Sequence, residues 1–140
     1  MLAILDGTNT TDQSQVITFS LADDNAPVTI DPVTQAAETD LCVTQVPMRH
    51  YTDPEMFAYV ASGDPLDKAG AYGIQHAGFR PVERFSGCYA SVMGLPLCHL
   101  VRTARRLGIE PAANVPEACQ SNLNYECPIS AAVLRGEQTG

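Results

Sequence analysis

The segment Gly63-Asp64-Pro65-Leu66-Asp67-Lys68-Ala69-Gly70-Ala71-Tyr72-Gly73-Ile74-Gln75 concentrates most of the chain's chemical potential. Gly63, Gly70 and Gly73 allow positive φ or a close approach of the backbone to a ligand. Asp64 and Asp67 are carboxylates three positions apart, suited to a divalent cation carried by a polyphosphate. Lys68 supplies a point charge for a phosphate oxygen. Gln75 carries donor and acceptor in one plane and can read the edge of a base. On spacing alone, a solvated glycine-rich turn is the commoner meaning of such a loop. For Asp67 two readings stand level, a ligand for that cation or a cap on the loop's own amides.

The elements around the loop are punctuated clearly. Thr52-Asp53-Pro54-Glu55 predicts a helix start with a capping box and Pro just inside it. Met56, Phe57, Tyr59 and Val60 supply a core face, and Gly63 stops the helix in the left-handed conformation. The 64–75 segment therefore begins, as a loop, where a helix ends. Upstream, residues 16–22 and 41–48 read as two strands that could pair as an antiparallel ribbon. Residues 1–15 and 23–27 are turn-like, and residues 28–37 are ambiguous because Pro32 interrupts them. Downstream, residues 79–85 read as an edge strand, since Pro81 has no N–H for a ladder. A helix follows from about Leu95-Pro96, with Leu97, Leu100, Val101, Ala104 and Leu107 on one face and Gly108 closing it. Beyond Pro111 the chain is expected to be loop-like, with residues 129–134 as a short apolar segment that docks. The whole reads as one domain over residues 1–140.

Composition narrows the function classes. The chain has 140 residues, 45% hydrophobic and 17% charged, with a net charge of −8, so it has a globular balance. Residues 1–67 carry eleven acids and one base; residues 68–140 carry five acids and seven bases. Such acidity argues against binding a nucleic-acid polymer. No apolar run approaches the ~20 residues of a membrane span, and no secretory signal is visible. A cytoplasmic protein is expected. The five cysteines, Cys42, Cys88, Cys98, Cys119 and Cys127, show no CxxC spacing and are expected to be free thiols rather than disulfides or zinc ligands.

Asp64-Pro65-Leu66-Asp67-Lys68-Ala69-Gly70-Ala71-Tyr72-Gly73-Ile74-Gln75 resembles the signature of the Maf family of nucleotide pyrophosphatases. Ser86-Gly87-Cys88-Tyr89-Ala90-Ser91-Val92-Met93-Gly94-Leu95-Pro96-Leu97 is similar to a second block of that family, at a fitting distance. The likeness is clear over residues 41–108. It implies an α/β fold, a mixed sheet with flanking helices of the inosine-triphosphatase type. It also implies hydrolysis of a nucleoside triphosphate to the monophosphate and pyrophosphate, with a divalent cation, Mg2+ or Mn2+, as cofactor. The Gly73-Ile74-Gln75 ending looks like the dTTP- and UTP-acting branch, in which Gln75 would help select the base. The implied substrate-binding residues are Lys68, Gln75, Asp67, Asp64 and Gly70, with Asp64 and Asp67 toward the metal.

The family also has an N-terminal loop of serines, proline and arginines, and a general-base aspartate between alanine and threonine. Neither motif occurs here, and Asp6 is not that aspartate, so the resemblance is to the C-terminal part alone and names no catalytic residue. A non-catalytic nucleotide-binding or dimerisation module is the alternative reading. A sheet without those elements would keep an exposed edge, which favours aggregation or a homodimer. Elsewhere, His50, His76 and His99 are scattered, with His76 placed beside Gln75. Arg102, Arg105 and Arg106 read as a solvated helix face that could otherwise touch phosphate. Tyr72 and Tyr89 read as packing residues with wet hydroxyls.

Overall fold

The computed structural model describes residues 14–20, 29–30 and 37–139. Of the turn-like residues expected at 1–15 and 23–27, Ser14 and Gln15 instead open a strand, and the rest, with Asp6, lie outside the described residues. Strands β1 (Ser14–Ser20), β2 (Thr29–Ile30), β3 (Ala37–Glu38) and β4 (Leu41–Pro47) precede helices α1 (Asp53–Ala61), α2 (Tyr89–Val92), α3 (Leu97–Arg106), α4 (Val115–Leu123) and α5 (Ser130–Leu134). Helices and strands together make this an α/β chain. Among the described residues the strands form two two-stranded sheets, β1 beside β4 and β2 beside β3, the latter antiparallel with Thr29 opposite Glu38. The two expected strands thus pair with each other, and the ambiguous 28–37 stretch contributes to the second ribbon. Along β4 the pleat alternates cleanly: Cys42, Thr44 and Val46 are buried, whereas Leu41 and Val43 remain exposed. No helix among the described residues is long and apolar enough to cross a membrane.

The described residues divide into two compact units, one including residues 45–85 and the other including residues 16–20, 29–30, 37–44 and 86–139. In the first, α1 starts with the expected capping box: Thr52 Oγ1 accepts from the Glu55 N–H, and Glu55 Oε2 accepts from the Thr52 N–H at 2.7 Å. Gly63 (φ 79°) ends the helix as read from sequence. The expected core face is corrected. Only Tyr59 is buried, while Phe57 is 66% exposed and Met56 and Val60 are also exposed. The reason is that α1 rests on the following loop through one side chain rather than a stripe. Residues 79–85 do not form a strand either. One antiparallel bridge, Met48 to Val82, is made, with Arg49 N–H donating to Pro81 O and Glu83 N–H to Pro47 O. Arg80 and Arg84 take φ of 47° and 50°, which an extended strand cannot include.

In the second unit α3 is the central helix, packing against α4 and α5 and against β2 and β3. Gly108 closes it at φ 77°, as read, but the expected apolar face is corrected: only Val101 of it is buried, Leu97, Leu100, Ala104 and Leu107 are half-buried, and Cys98, His99, Arg102 and Thr103 share the buried side. Arg102 departs from that reading. It is buried and forms a two-point ion pair with Asp40, Nε to Oδ2 at 2.6 Å and Nη2 to Oδ1 at 2.5 Å. Arg105 and Arg106 stay toward solvent, paired with Glu110 and Glu38. The region after Pro111 is also not a loop. Asn114 caps α4 through its side-chain oxygen, Pro116 sits in the first turn, and Asn124 ends the helix in the left-handed conformation. The apolar 129–134 segment does dock, as α5, through fully buried Val133. All five cysteines are free thiols, as expected.

Candidate functional site

The 64–75 loop is built as two successive 3-10 turns, Asp64–Asp67 and Ala69–Ala71, rather than as irregular coil. Pro65, at the start of the first turn, sets its φ without sacrificing a needed N–H. Lys68 N–H closes that turn on Pro65 O, and Ala71 N–H closes the second on Lys68 O. Gly70 (φ 77°) allows the reversal between them, and a Cβ there would lie 3.2 Å from the Tyr72 ring. Gly73 matters for a different reason. A Cβ on it would lie 3.3 Å from Lys68 Cε and 3.6 Å from Asp64 Oδ2, so its absence lets the loop close over the lysine.

These turns bring Asp64, Asp67 and Lys68 together. Lys68 Nζ donates to Asp64 O at 2.7 Å, Asp64 Oδ1 at 3.1 Å and Asp67 Oδ1 at 2.9 Å. Asp67 binds the lysine and also lies against its own backbone N–H, and its side chain is 81% exposed. Gln75 stands at the far end of the loop, exposed, with the next N–H, that of His76, donating to Gly73 O. The Asp67 carboxyl is held below the usual range by its Lys68 hydrogen bond, and Lys68 is held above its ordinary value by Asp67 and then Asp64.

Tyr59, which sequence spacing did not single out for this loop, joins it through its hydroxyl. Its hydroxyl donates to Asp64 Oδ2 at 2.5 Å and accepts the Gly73 N–H at 2.9 Å, joining the two ends of the loop. That hydrogen bond, followed by the one from Lys68, holds Asp64 below the usual carboxylate range. Burial, then the bond to Asp64, raises Tyr59. The Tyr59 ring stacks on Phe79 at 4.2 Å and 8°, with His76 edge-on at 4.9 Å. His76 Nδ1 accepts the Phe79 N–H at 2.8 Å, so this histidine shapes the turn after Gln75. Arg49 supports the same wall through Phe79 O, Arg80 O and Glu55. The legible signal for Tyr59 was its place as a polar-tipped aromatic in the last turn of α1, immediately before the loop.

Tyr72 is buried, as a packing residue would be, but its hydroxyl is not wet: it has no hydrogen-bond partner among the described residues. His99 belongs to the other unit, fully buried, with Nε2 facing Thr139 O at 3.2 Å. His50 is exposed and outside the loop.

A resident cation finds no cage here. No group of three or more His, Cys, Asp or Glu side chains able to hold a metal occurs among the described residues. Both Asp64 oxygens and one Asp67 oxygen are already engaged. A cation that keeps most of its ligands as water and phosphate needs only one or two protein carboxylates. The donor set fits that kind of cation, arriving with a polyphosphate.

The family model described as "Maf-like protein" matches residues 1–107. A dTTP/UTP pyrophosphatase of Dehalococcoides mccartyi is 53% identical over 70 residues, which are 50% of this chain and 31% of that protein. One of Geotalea uraniireducens is 47% identical over 70 residues, 50% of this chain and 36% of that protein. One of Syntrophotalea carbinolica is 43% identical over 79 residues, 56% of this chain and 36% of that protein. The chain thus spans about a third of the length of the curated relatives it matches.

Proposed function

The chain belongs to the Maf-like protein family, and from that premise we propose that it acts in the hydrolysis of dTTP- or UTP-like nucleoside triphosphates to the monophosphate and pyrophosphate. The observation that carries the proposal is the 64–75 loop, which sets a lysine and two carboxylates together and presents an exposed glutamine at its other end. Lys68 is the residue for phosphate oxygens. Gly70 permits the turn that places it, and Gln75 is the residue for the base edge. Asp67, and Asp64 beside it, would face a divalent cation, Mg2+ or Mn2+, which would supply neutralisation of the phosphate charge. The proposed setting is the cytoplasm. The β1–β4 pair is proposed to belong to a mixed sheet with flanking helices, of the family type.

The same loop supports the second reading, a nucleotide-binding module without turnover. A general base works best with a proton affinity near the operating pH. Asp64 and Asp67 are both shifted the other way, and Lys68 is held protonated. The loop supplies grip on the substrate and leaves proton abstraction to groups beyond it.

Incubation of the purified chain with dTTP or UTP and Mg2+ decides between the two. Pyrophosphate release that Lys68→Ala abolishes supports the hydrolase. A nucleotide-dependent rise in melting temperature, lost in Lys68→Ala and Gln75→Ala but without release, supports the binding module. No release and no shift would reject both.

A further inference from the structure

The Lys68 ammonium has three N–H donors, and the loop engages them on Asp64 O, Asp64 Oδ1 and Asp67 Oδ1. A phosphate oxygen can reach this lysine only by replacing one of the three. The acceptors are not equally replaceable. Asp64 O is main chain at the start of the first 3-10 turn. The Asp64 carboxylate is held from its other oxygen by Tyr59, whose hydroxyl is in turn fixed by the Gly73 N–H and whose ring is stacked on Phe79. The Asp67 carboxylate is 81% exposed, and beyond its own backbone N–H its partner is Lys68. Moving it into water costs little, because an exposed ion pair of this kind is weak.

We propose that Asp67 is a built-in phosphate surrogate, displaced from Lys68 when a phosphate group binds, and that Tyr59 is the positioning residue that keeps Asp64 on Lys68 throughout. The inference rests on the nucleotide-binding reading of the loop and goes beyond it. It divides two carboxylates of identical chemistry into one that competes with substrate and one that orients the lysine toward it. Removing the competitor strengthens phosphate binding, whereas releasing the orienting residue weakens it.

The test uses the full chain in EDTA, titrated calorimetrically with inorganic pyrophosphate and with dTTP, alongside 13C-carboxyl NMR of the aspartates. Asp67→Asn is expected to tighten pyrophosphate binding about two- to fivefold at low ionic strength, the worth of an exposed ion pair. Tyr59→Phe keeps the ring stack but loses both hydroxyl hydrogen bonds, and is expected to weaken binding about three- to tenfold. In the wild-type chain, pyrophosphate should move the Asp67 carboxyl resonance and leave that of Asp64 in place; in Tyr59→Phe both should move. A merely structural role for Tyr59 would not change which carboxyl responds.

Unchanged or weaker binding by Asp67→Asn overturns the proposal, as does joint movement of both resonances in the wild type. If dTTP binds while Asp67→Asn gains nothing, the surrogate role alone falls. If pyrophosphate displaces Asp67 but dTTP binds no tighter than pyrophosphate, the nucleotide reading falls and the surrogate stands. If neither ligand binds the wild type, both fall.

Discussion

Replacing Arg102 by Met should cost stability in a way that depends on pH, and the structure sets the size of the effect. The Arg102 and Asp40 side chains are only 5% and 4% exposed and meet at two points. Without the guanidinium, the Asp40 carboxylate keeps, among the described residues, the hydrogen bond from the Leu41 N–H at 2.8 Å. Breaking a buried pair by removing one partner typically costs about 3–5 kcal/mol. Asp40 has one escape, to take up a proton. With an unfolded aspartate near ~3.9, that costs about 4 kcal/mol at pH 7 but only about 1.5 kcal/mol at pH 5. Loss of the Arg102 bonds to Glu137 O and Val133 O adds about 1 kcal/mol at either pH. In the wild type, burial pushes the Asp40 carboxyl up, but hydrogen bonds from Arg102 and Leu41 and the guanidinium charge outweigh it and hold it below its ordinary value. A lowered folded-state value means that stability from this group is present above the unfolded pKa and is lost only as pH falls through the folded one. The wild-type contribution is therefore unchanged between pH 7 and 5, while the variant recovers. Urea unfolding followed by circular dichroism should give a difference of about 4–5 kcal/mol at pH 7 and about 2–3 kcal/mol at pH 5. The double variant Asp40→Asn, Arg102→Met should regain most of the loss at pH 7, because no buried charge remains. A cost below about 1.5 kcal/mol at pH 7, or one equal at both pH values, would refute the reasoning.

Three further outcomes are expected. Thr52→Ala removes the side-chain half of the α1 capping box and should destabilise the chain by about 1 kcal/mol in the same urea assay. Gly70→Ala puts a Cβ at φ 77° and 3.2 Å from the Tyr72 ring, which should cost about 1–2 kcal/mol and remove any melting shift produced by dTTP. Burial pushes Tyr72 up to about 12, above the ordinary phenol value, so stability from this group is complete below about pH 10 and declines as pH rises toward 12. Phenolate absorbance should lose the component that titrates near 12 in Tyr72→Phe, while the tyrosines whose values are also raised, Tyr59 among them, remain. That variant should be at least as stable as the wild type near neutrality, since the lost hydroxyl has no hydrogen-bond partner among the described residues.

Local punctuation was the most legible part of this sequence, because its physics is contained in a few neighbouring residues. Thr52-Asp53-Pro54-Glu55 and Gly63 bound α1 as read, since capping is satisfied within one turn. Asn114 and Pro116 carry an equally good signal for α4, a cap and a first-turn proline, in a stretch whose composition beyond Pro111 reads as loop. What could not be read were decisions made over long separations. Arg102 lies on a helix whose neighbouring arginines face water, and only the arrival of Asp40, 62 positions earlier, turns it inward. Tyr59 has the composition of a core residue, and its hydroxyl acquires a role only when Asp64 and Gly73 fold back onto it.

The loop shows the same division between local and distant control. Its residue types announced a lysine flanked by carboxylates, but types alone leave the two aspartates equivalent. The fold breaks that symmetry by giving one a tyrosine and leaving the other to solvent. A phosphate site must remain soluble and charge-balanced while empty and still yield its lysine when filled. Neutralising Lys68 with two equally fixed carboxylates would make the empty state too good; neutralising it with none would leave the ammonium free to swing. On the proposed phosphate-binding reading, one anchored and one releasable carboxylate would satisfy both demands, and the sign of the Asp67→Asn effect, tighter rather than weaker binding, is the property that tests it.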